Sequence, residues 1–257
     1  MRRLFALFAA ALFIAAPALA QTSDDAEPKA KEPPAKHKTD IDTLVGRTLR
    51  LLGSTGALQV RKGAKRKELT IVKLVLSGEV ISDPTQKCEI SIVSESSIAT
   101  TLTLDVAKAP QYAVDIPACP FAFMVLNEAM LVWPRGACVF KAADCQANPN
   151  GLWGPTADEL ADQANQIAKD RDRVDASVAA SVMALGKRDK DAAAQIEKAE
   201  AAFEAGREVT CGKYDGEATY GFCRSRIDEA HALALKKRVA DSKKADEKKP
   251  KDTTSAD

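Results

Sequence analysis

Between residues 43 and 140 apolar and polar side chains alternate with a period of two. Ile98, Thr100, Leu102, Leu104 and Val106 alternate with Ala99, Thr101, Thr103 and Asp105. Cys88, Ile90 and Ile92 alternate with Glu89 and Ser91, and Tyr112, Val114 and Ile116 repeat the arrangement. Successive side chains of a strand point to opposite faces, so each run predicts one buried and one wetted face. The stretch 69–76 is apolar on both phases apart from Thr70 and Lys73, which predicts a central strand. Two further apolar runs, 121–125 and 130–133, flank Asn127-Glu128 and predict a hairpin. Gly53-Ser54-Thr55-Gly56, Ser82-Asp83-Pro84 and Lys108-Ala109-Pro110 punctuate the strands. Many short strands separated by such turns predict a small antiparallel sandwich or barrel over residues 41–150.

Near Trp153 the period becomes helical. Thr156 follows Pro155 and precedes Glu159 by three residues, the spacing at which a threonine and a glutamate cap a helix start reciprocally. Leu160, Ala164, Ile167, Arg171, Val174, Val178 and Leu185 fall on one stripe that ends at Gly186. A second helix places Ile196, Ala199, Phe203 and Gly206 on one side. A third, over about 222–239, turns Cys223, Ile227, Ala230 and Ala234 inward. These stripes are narrow and alanine-rich, which suits close antiparallel packing around a thin core. The expected fold class is therefore α+β: an N-terminal antiparallel β sandwich or barrel, then a three-helix disulfide-stapled domain over residues 151–241. Trp153, between Gly151-Leu152 and Gly154-Pro155, is expected to plug the seam between the two.

The ends lack this patterning. Arg2 and Arg3 precede an apolar stretch over 4–16, and Ala18-Leu19-Ala20 supplies the small-x-small signal for cleavage after Ala20. Residues 1–20 thus predict a cleavable signal peptide and a periplasmic or secreted product. Residues 21–40 and 242–257 are charged and poor in large apolar side chains, so both are expected to be a structureless leader and tail. No later segment is long and apolar enough to span a bilayer, so no transmembrane segment is expected after signal cleavage. The 37 basic and 36 acidic side chains leave a net charge of +1, and export argues against nucleic acid as a partner.

An even set of six cysteines in an exported chain reads as disulfides rather than metal ligands or redox centres. Cys211 and Cys223 bracket a loop carrying Lys213, Tyr214, Asp215 and Tyr220, and a bridge closing a loop of this size contributes roughly 3 kcal/mol in the chain-entropy model. Cys88, Cys119, Cys138 and Cys145 allow three pairings, of which Cys88 with Cys119 and Cys138 with Cys145 is the expected one.

Catalytic chemistry finds no matching set of residues. His37 lies in the leader, and His231, at the edge of the third helix stripe, has no serine elbow to serve. No phosphate loop or metal motif is present in the sequence, so no enzyme activity, cofactor or metal site is expected. Two surfaces stand out instead. Arg61, Lys62, Lys65, Arg66 and Lys67 crowd a turn between two early strands, close in sequence to Arg47 and Arg50. A protruding basic loop attracts anionic cell-wall polymer or a membrane surface with salt-sensitive affinity. The bracketed loop offers Lys213, Tyr214 and Tyr220 as anchors for a protein partner.

Phe203, Arg207-Glu208, Cys211, a Gly- and Tyr-bearing loop, Cys223 and a following helix with Arg226 together resemble the lysozyme-inhibitor-like (LprI-type) family of the bacterial envelope. The likeness spans residues 156–241 and is closest over about 199–238. It implies a helical periplasmic domain that binds rather than catalyses, with lysozyme inhibition attributed to some members. The expectation from sequence is an exported binding protein acting on a lysozyme or another envelope protein through the clamped helical domain. The alternative expectation is an envelope adaptor that holds an anionic polymer through the basic hairpin.

Overall fold

The strand β3 (Leu69–Val80) is the spine of the sheet because it is paired along both edges. One edge carries β2 (Thr55–Lys62) and, beyond it, β11 (Cys145–Ala147). The other carries β4 (Lys87–Val93) and the two-residue β5 (Ile98–Ala99). Between Gln59↔Lys73 and Val60↔Ile71 the register slips, leaving Val72 as an extra residue in β3. That bulge shifts the phase of the pleat, so Leu69 and Ile71 before it and Leu74 and Leu76 after it are all buried. The two-phase apolar pattern read from the sequence is the signature of this bulge in a central strand.

In the computed structural model residues 40–65, 67–93, 97–104, 110–136, 138–187 and 190–247 are described. The expected signal peptide, nearly all of the leader, Val106, Arg66 and the end of the tail lie outside these residues. The chain is mixed α and β. Twelve strands form one antiparallel sheet that does not close on itself. Its path runs β10 (Cys138–Phe140), β11, β3, β2, β1 (Leu49–Leu51), β12 (Gly151–Gly154), β9 (Ala129–Pro134), β8 (Phe121–Leu126), β7 (Gln111–Val114) and β6 (Thr101–Leu104). The predicted hairpin is present: Leu126 pairs with Ala129 across Asn127-Glu128. Glu128 adopts the left-handed conformation at φ 58°. It is held there by its N–H donating to Thr43 Oγ1 and by its carboxylate on Arg47, both at 2.8 Å.

The alternation of β8, β9 and β12 separates two cores. Phe121, Phe123, Val125, Met130, Val132 and Trp153 face the sheet's own interior, joined by Leu44 of the short helix α1 (Asp40–Leu44). Met124, Leu126, Ala129, Leu131 and Leu152 face the other way, against the helices. Trp153 is therefore not the seam plug expected from sequence. The pleat turns it inward, where Nε1 donates to the Pro149 carbonyl at 2.9 Å, and turns Leu152 to the seam. Leu102 and Leu104 depart from expectation too. β6 ends the path with β7 as its partner, and both leucines are exposed.

The helices are α2 (Ala157–Ala161), α3 (Ala164–Gly186), α4 (Lys190–Cys211), α5 (Glu217–Tyr220) and α6 (Phe222–Glu247). Thr156 and Glu159 form the predicted capping box. The helix they start stops at Ala161, and α3 begins after a break. α6 continues through 242–247, where a tail was expected. Its inward face presents Ala232 and Leu235, leaving Ala234 exposed. On α4 the inward positions after Ile196 are Glu200, Phe203 and Arg207, while Ala199 and Gly206 face solvent. Charged residues occupy inward positions because they meet one another. Arg226 reaches Asp170 at 2.9 Å and Glu229 at 2.8 Å, and Arg207 reaches Asp228 at 2.8 Å.

Cys211 bonds Cys223, as expected. The other two bridges, Cys88–Cys145 and Cys119–Cys138, differ from the expected pairing. Cys88 lies opposite Gly78 of β3 and Cys145 opposite Val80, so the shared neighbour β3 brings them together over 57 residues of chain. A Cβ on Gly78 would strike the Gln146 carbonyl, so the bare backbone there is what lets β11 close over β3. Val139 N–H donates to the Ala118 carbonyl at 3.2 Å and so lays β10 beside Cys119. Nearness in sequence, which favoured Cys138 with Cys145, is overridden by this register.

Gly154 sits where the sheet meets the helices. A Cβ there would stand 2.6 Å from Tyr214 Oη and 2.8 Å from Phe222. Gly154→Ala is expected to cost ~1–3 kcal/mol by overpacking. The midpoint of urea unfolding, with disulfides intact, measures it; an unchanged midpoint would show that the seam yields.

Candidate binding surface

The loop between α4 and α6 is tethered at several points. The Cys211–Cys223 bridge closes its base with the Cα atoms 5.4 Å apart. Tyr214 is buried at 4% exposure, its hydroxyl donating to the Pro155 carbonyl at 2.7 Å. The ring fits because Gly53 and Gly154 offer no side chain; a Cβ on Gly53 would stand 2.9 Å from it. One residue on, Asp215 N–H donates to the carbonyl of Leu52, itself left-handed at φ 52°. Glu217 then reaches forward across the αL glycine Gly221, accepting from the N–H of Cys223 at 2.7 Å and of Arg224 at 3.0 Å. It thereby satisfies two orphan donors at the start of α6.

These tethers leave Lys213, Asp215, Ala218 and Thr219 exposed on a fixed backbone. Beside them lies a polar cleft of about 960 Å³ whose walls include Arg171, Glu208, Lys213, Asp215 and Arg224. Of the loop residues singled out from sequence, Lys213 is exposed and Tyr220 half-buried against Gly216. Tyr214 is spent on the seam. Burial holds the Tyr214 hydroxyl protonated, its pKa pushed far above the usual phenol value with Glu217, Glu159 and Asp215 adding to the shift.

The residues that carry the family resemblance are mostly internal. Arg207 and Arg226 are buried in ion pairs and lie over Phe203 and Phe222, with ring centroids 5.8 and 5.3 Å from the guanidinium carbons. Burial disfavours the Arg207 charge, but hydrogen bonds and charges from Asp228 and Glu208 outweigh it and raise the pKa. Asp228 is raised by burial despite Arg207 and Arg224. His231 is half-buried, stacked on Phe203 with centroids 3.7 Å apart, and its Nε2 is 2.8 Å from Glu200.

The basic hairpin is present between β2 and β3, but its charges are divided. Lys62 pairs with Asp42, and Arg47 with Glu128. Lys67 is half-buried and left-handed at φ 63°, its carbonyl accepting from Tyr112 at 2.8 Å. Arg61 and Lys65 are exposed and, among the described residues, have no carboxylate within ion-pair distance. Register adds Lys73, which no sequence argument singled out. It pairs with Gln59, two residues before Arg61, so Arg61 and Lys73 share the sheet's outer face. Among the described residues no group of three His, Cys, Asp or Glu side chains converges as a metal site, and no helix is long and apolar enough to cross a membrane.

Glu217 yields a pH test. Burial raises its pKa; the N–H groups of Arg224 and Cys223 pull it down, Glu208 pushes it up and Arg224 adds a further downward pull. A carboxyl raised in the folded state binds its proton there first, so its contribution to stability is greatest at low pH. That contribution is lost as pH rises from about 4.3, the ordinary glutamate value, through the raised folded value. Glu217→Gln should remove this part of the slope, so the stability of wild type relative to variant falls with rising pH. Urea midpoints across this window report it, and a constant difference would refute the assignment.

Comparison of the chain with protein-family models, with curated proteins and with solved structures finds no match in any of the three.

Proposed function

We propose that this chain is an exported, non-catalytic binding protein that docks a protein partner on the disulfide-clamped loop 211–224, with lysozymes the first partners to test. The observation that carries the reading is the tethering of that loop. A bridge, a buried tyrosine and a capping glutamate fix the backbone of the loop while Lys213, Asp215 and Thr219 stay in solvent. A surface ordered before it binds loses little entropy on binding, which is where affinity is commonly forfeited. Export is supported by the use of all six cysteines in three bridges, a state that persists in oxidising compartments. The finer architecture we infer is a barrel-like wrap carrying a three-helix unit. Residues 98–104 support it, since they pair with β3 through β5 and then with β7 through β6.

A second reading, an adaptor for anionic cell-wall polymer, draws support from the exposed Arg61, Lys65 and Lys73 on and beside one outer sheet face. The two readings separate experimentally. Purified, oxidised protein should inhibit at least one lysozyme class at stoichiometric concentration, and Lys213→Glu with Asp215→Lys should weaken inhibition by about tenfold or more. Inactivity against every class would remove lysozyme as the partner. In sedimentation with peptidoglycan, binding that declines with added salt and is lost in Arg61→Ser with Lys65→Ser and Lys73→Ser would favour the second reading; salt-independent retention would oppose it.

A further inference from the structure

Arg173, Arg207, Arg224 and Arg226 each reach a carboxylate, on Asp170 or Asp228. Arg171 does not. It lies on the inward stripe of α3, half-buried, with Nη1 3.1 Å from where a Cβ on Gly221 would stand. Among the described residues no carboxylate comes within ion-pair distance of it and no hydrogen-bond acceptor is in reach, including Asp175 one helical turn on. A half-buried guanidinium on the wall of an open cleft keeps its donors available to a ligand arriving from solvent. That cleft lies beside the clamped loop.

The other charges of the cleft are already engaged or at its rim. Glu208 is drawn to Arg207 and Glu217 is held by the first N–H groups of α6. Arg224 leans on Asp228 at 3.6 Å, and Lys213 and Asp215 are exposed. We propose that Arg171 is the anchor point of the loop surface and that it receives a carboxylate from an acidic segment of the partner protein, with Arg224 and Lys213 flanking. A planar guanidinium in a cleft presents paired donors that match a carboxylate, and arginines so placed carry a large share of interface affinity. The inference rests on the loop-docking reading and gives it a ligand chemistry.

The test uses the full oxidised protein and a blocked tetra-aspartate peptide, with tetra-asparagine as the neutral control. NMR of the Arg171 Nε–H signal and of amides 212–219 should show saturable shifts with the acidic peptide and none with the control. Arg171→Gln should weaken binding by about tenfold or more, and Arg171→Lys by less, because the charge survives without the fork. Melting curves of both variants establish that the fold is kept. No shift at millimolar peptide, shifts centred on Arg61 and Lys65, or equal binding by Arg171→Gln would each overturn the proposal. Peptide binding at Arg171 without inhibition of any lysozyme would remove lysozyme and leave this site standing. Lysozyme inhibition with no peptide response would do the reverse.

Discussion

Tyr214 stands between Gly53 and Gly154 with its hydroxyl on the Pro155 carbonyl, and the attachment of the helices to the sheet is organised around that wedge. Its ring packs at a tilt against Phe222, the first residue of α6, with centroids 5.6 Å apart. Leu152, Leu160, Ile167 and Ile227 complete the cluster around it. An aromatic side chain suits the task because its apolar body fills the seam while its polar tip satisfies a carbonyl that burial would otherwise orphan. The two glycines are needed for the same reason: a Cβ on either side would occupy the space the ring takes.

Away from this seam the helical half has little apolar material. Leu185, Ile196 and Leu235 form a small separate cluster toward the far end. Between that cluster and the seam the inward positions are taken by Asp170, Arg207, Arg226 and Asp228, paired across α3, α4 and α6. Asp170 alone accepts from Arg173, Arg226 and Gln166. Buried ion pairs add little net stability over apolar packing, yet removing one partner costs ~3–5 kcal/mol because the other charge is stranded. Such pairs set which helix faces meet, and the Cys211–Cys223 bridge adds the constraint that the thin core lacks.

The same devices shape the surface. Residues that secure the loop are buried or half-buried, and those left outside are short or charged. Phe203, Arg207, Cys211, Cys223 and Arg226, the residues on which the sequence resemblance rests, thus serve to join the helices to one another. The side chains that face the cleft and solvent, Arg171, Lys213 and Asp215 among them, lie outside that set.

Much of the sheet was legible in sequence because strand alternation and turn chemistry are local. The Asn127-Glu128 hairpin, the central strand 69–76 and the Thr156–Glu159 capping box all follow from spacing within a few residues. The bridge across the loop was legible for the same reason. What escaped depends on partners distant in sequence. Leu152 took the place expected of Trp153 because only the second layer decides which face of β12 is the seam. Glu200 and Arg207 were passed over as inward positions on α4 because a buried polar side chain is recognisable only beside its partner, His231 for Glu200 and Asp228 for Arg207. Cys88 met Cys145 because β3 lies between β4 and β11 and Gly78 leaves room for the crossing. The amino-acid order alone determined periodicity, caps and turns, since these are energies between near neighbours. Tertiary structure decided which faces, charges and sulfurs meet, since those energies exist only after segments tens of residues apart have been brought into contact.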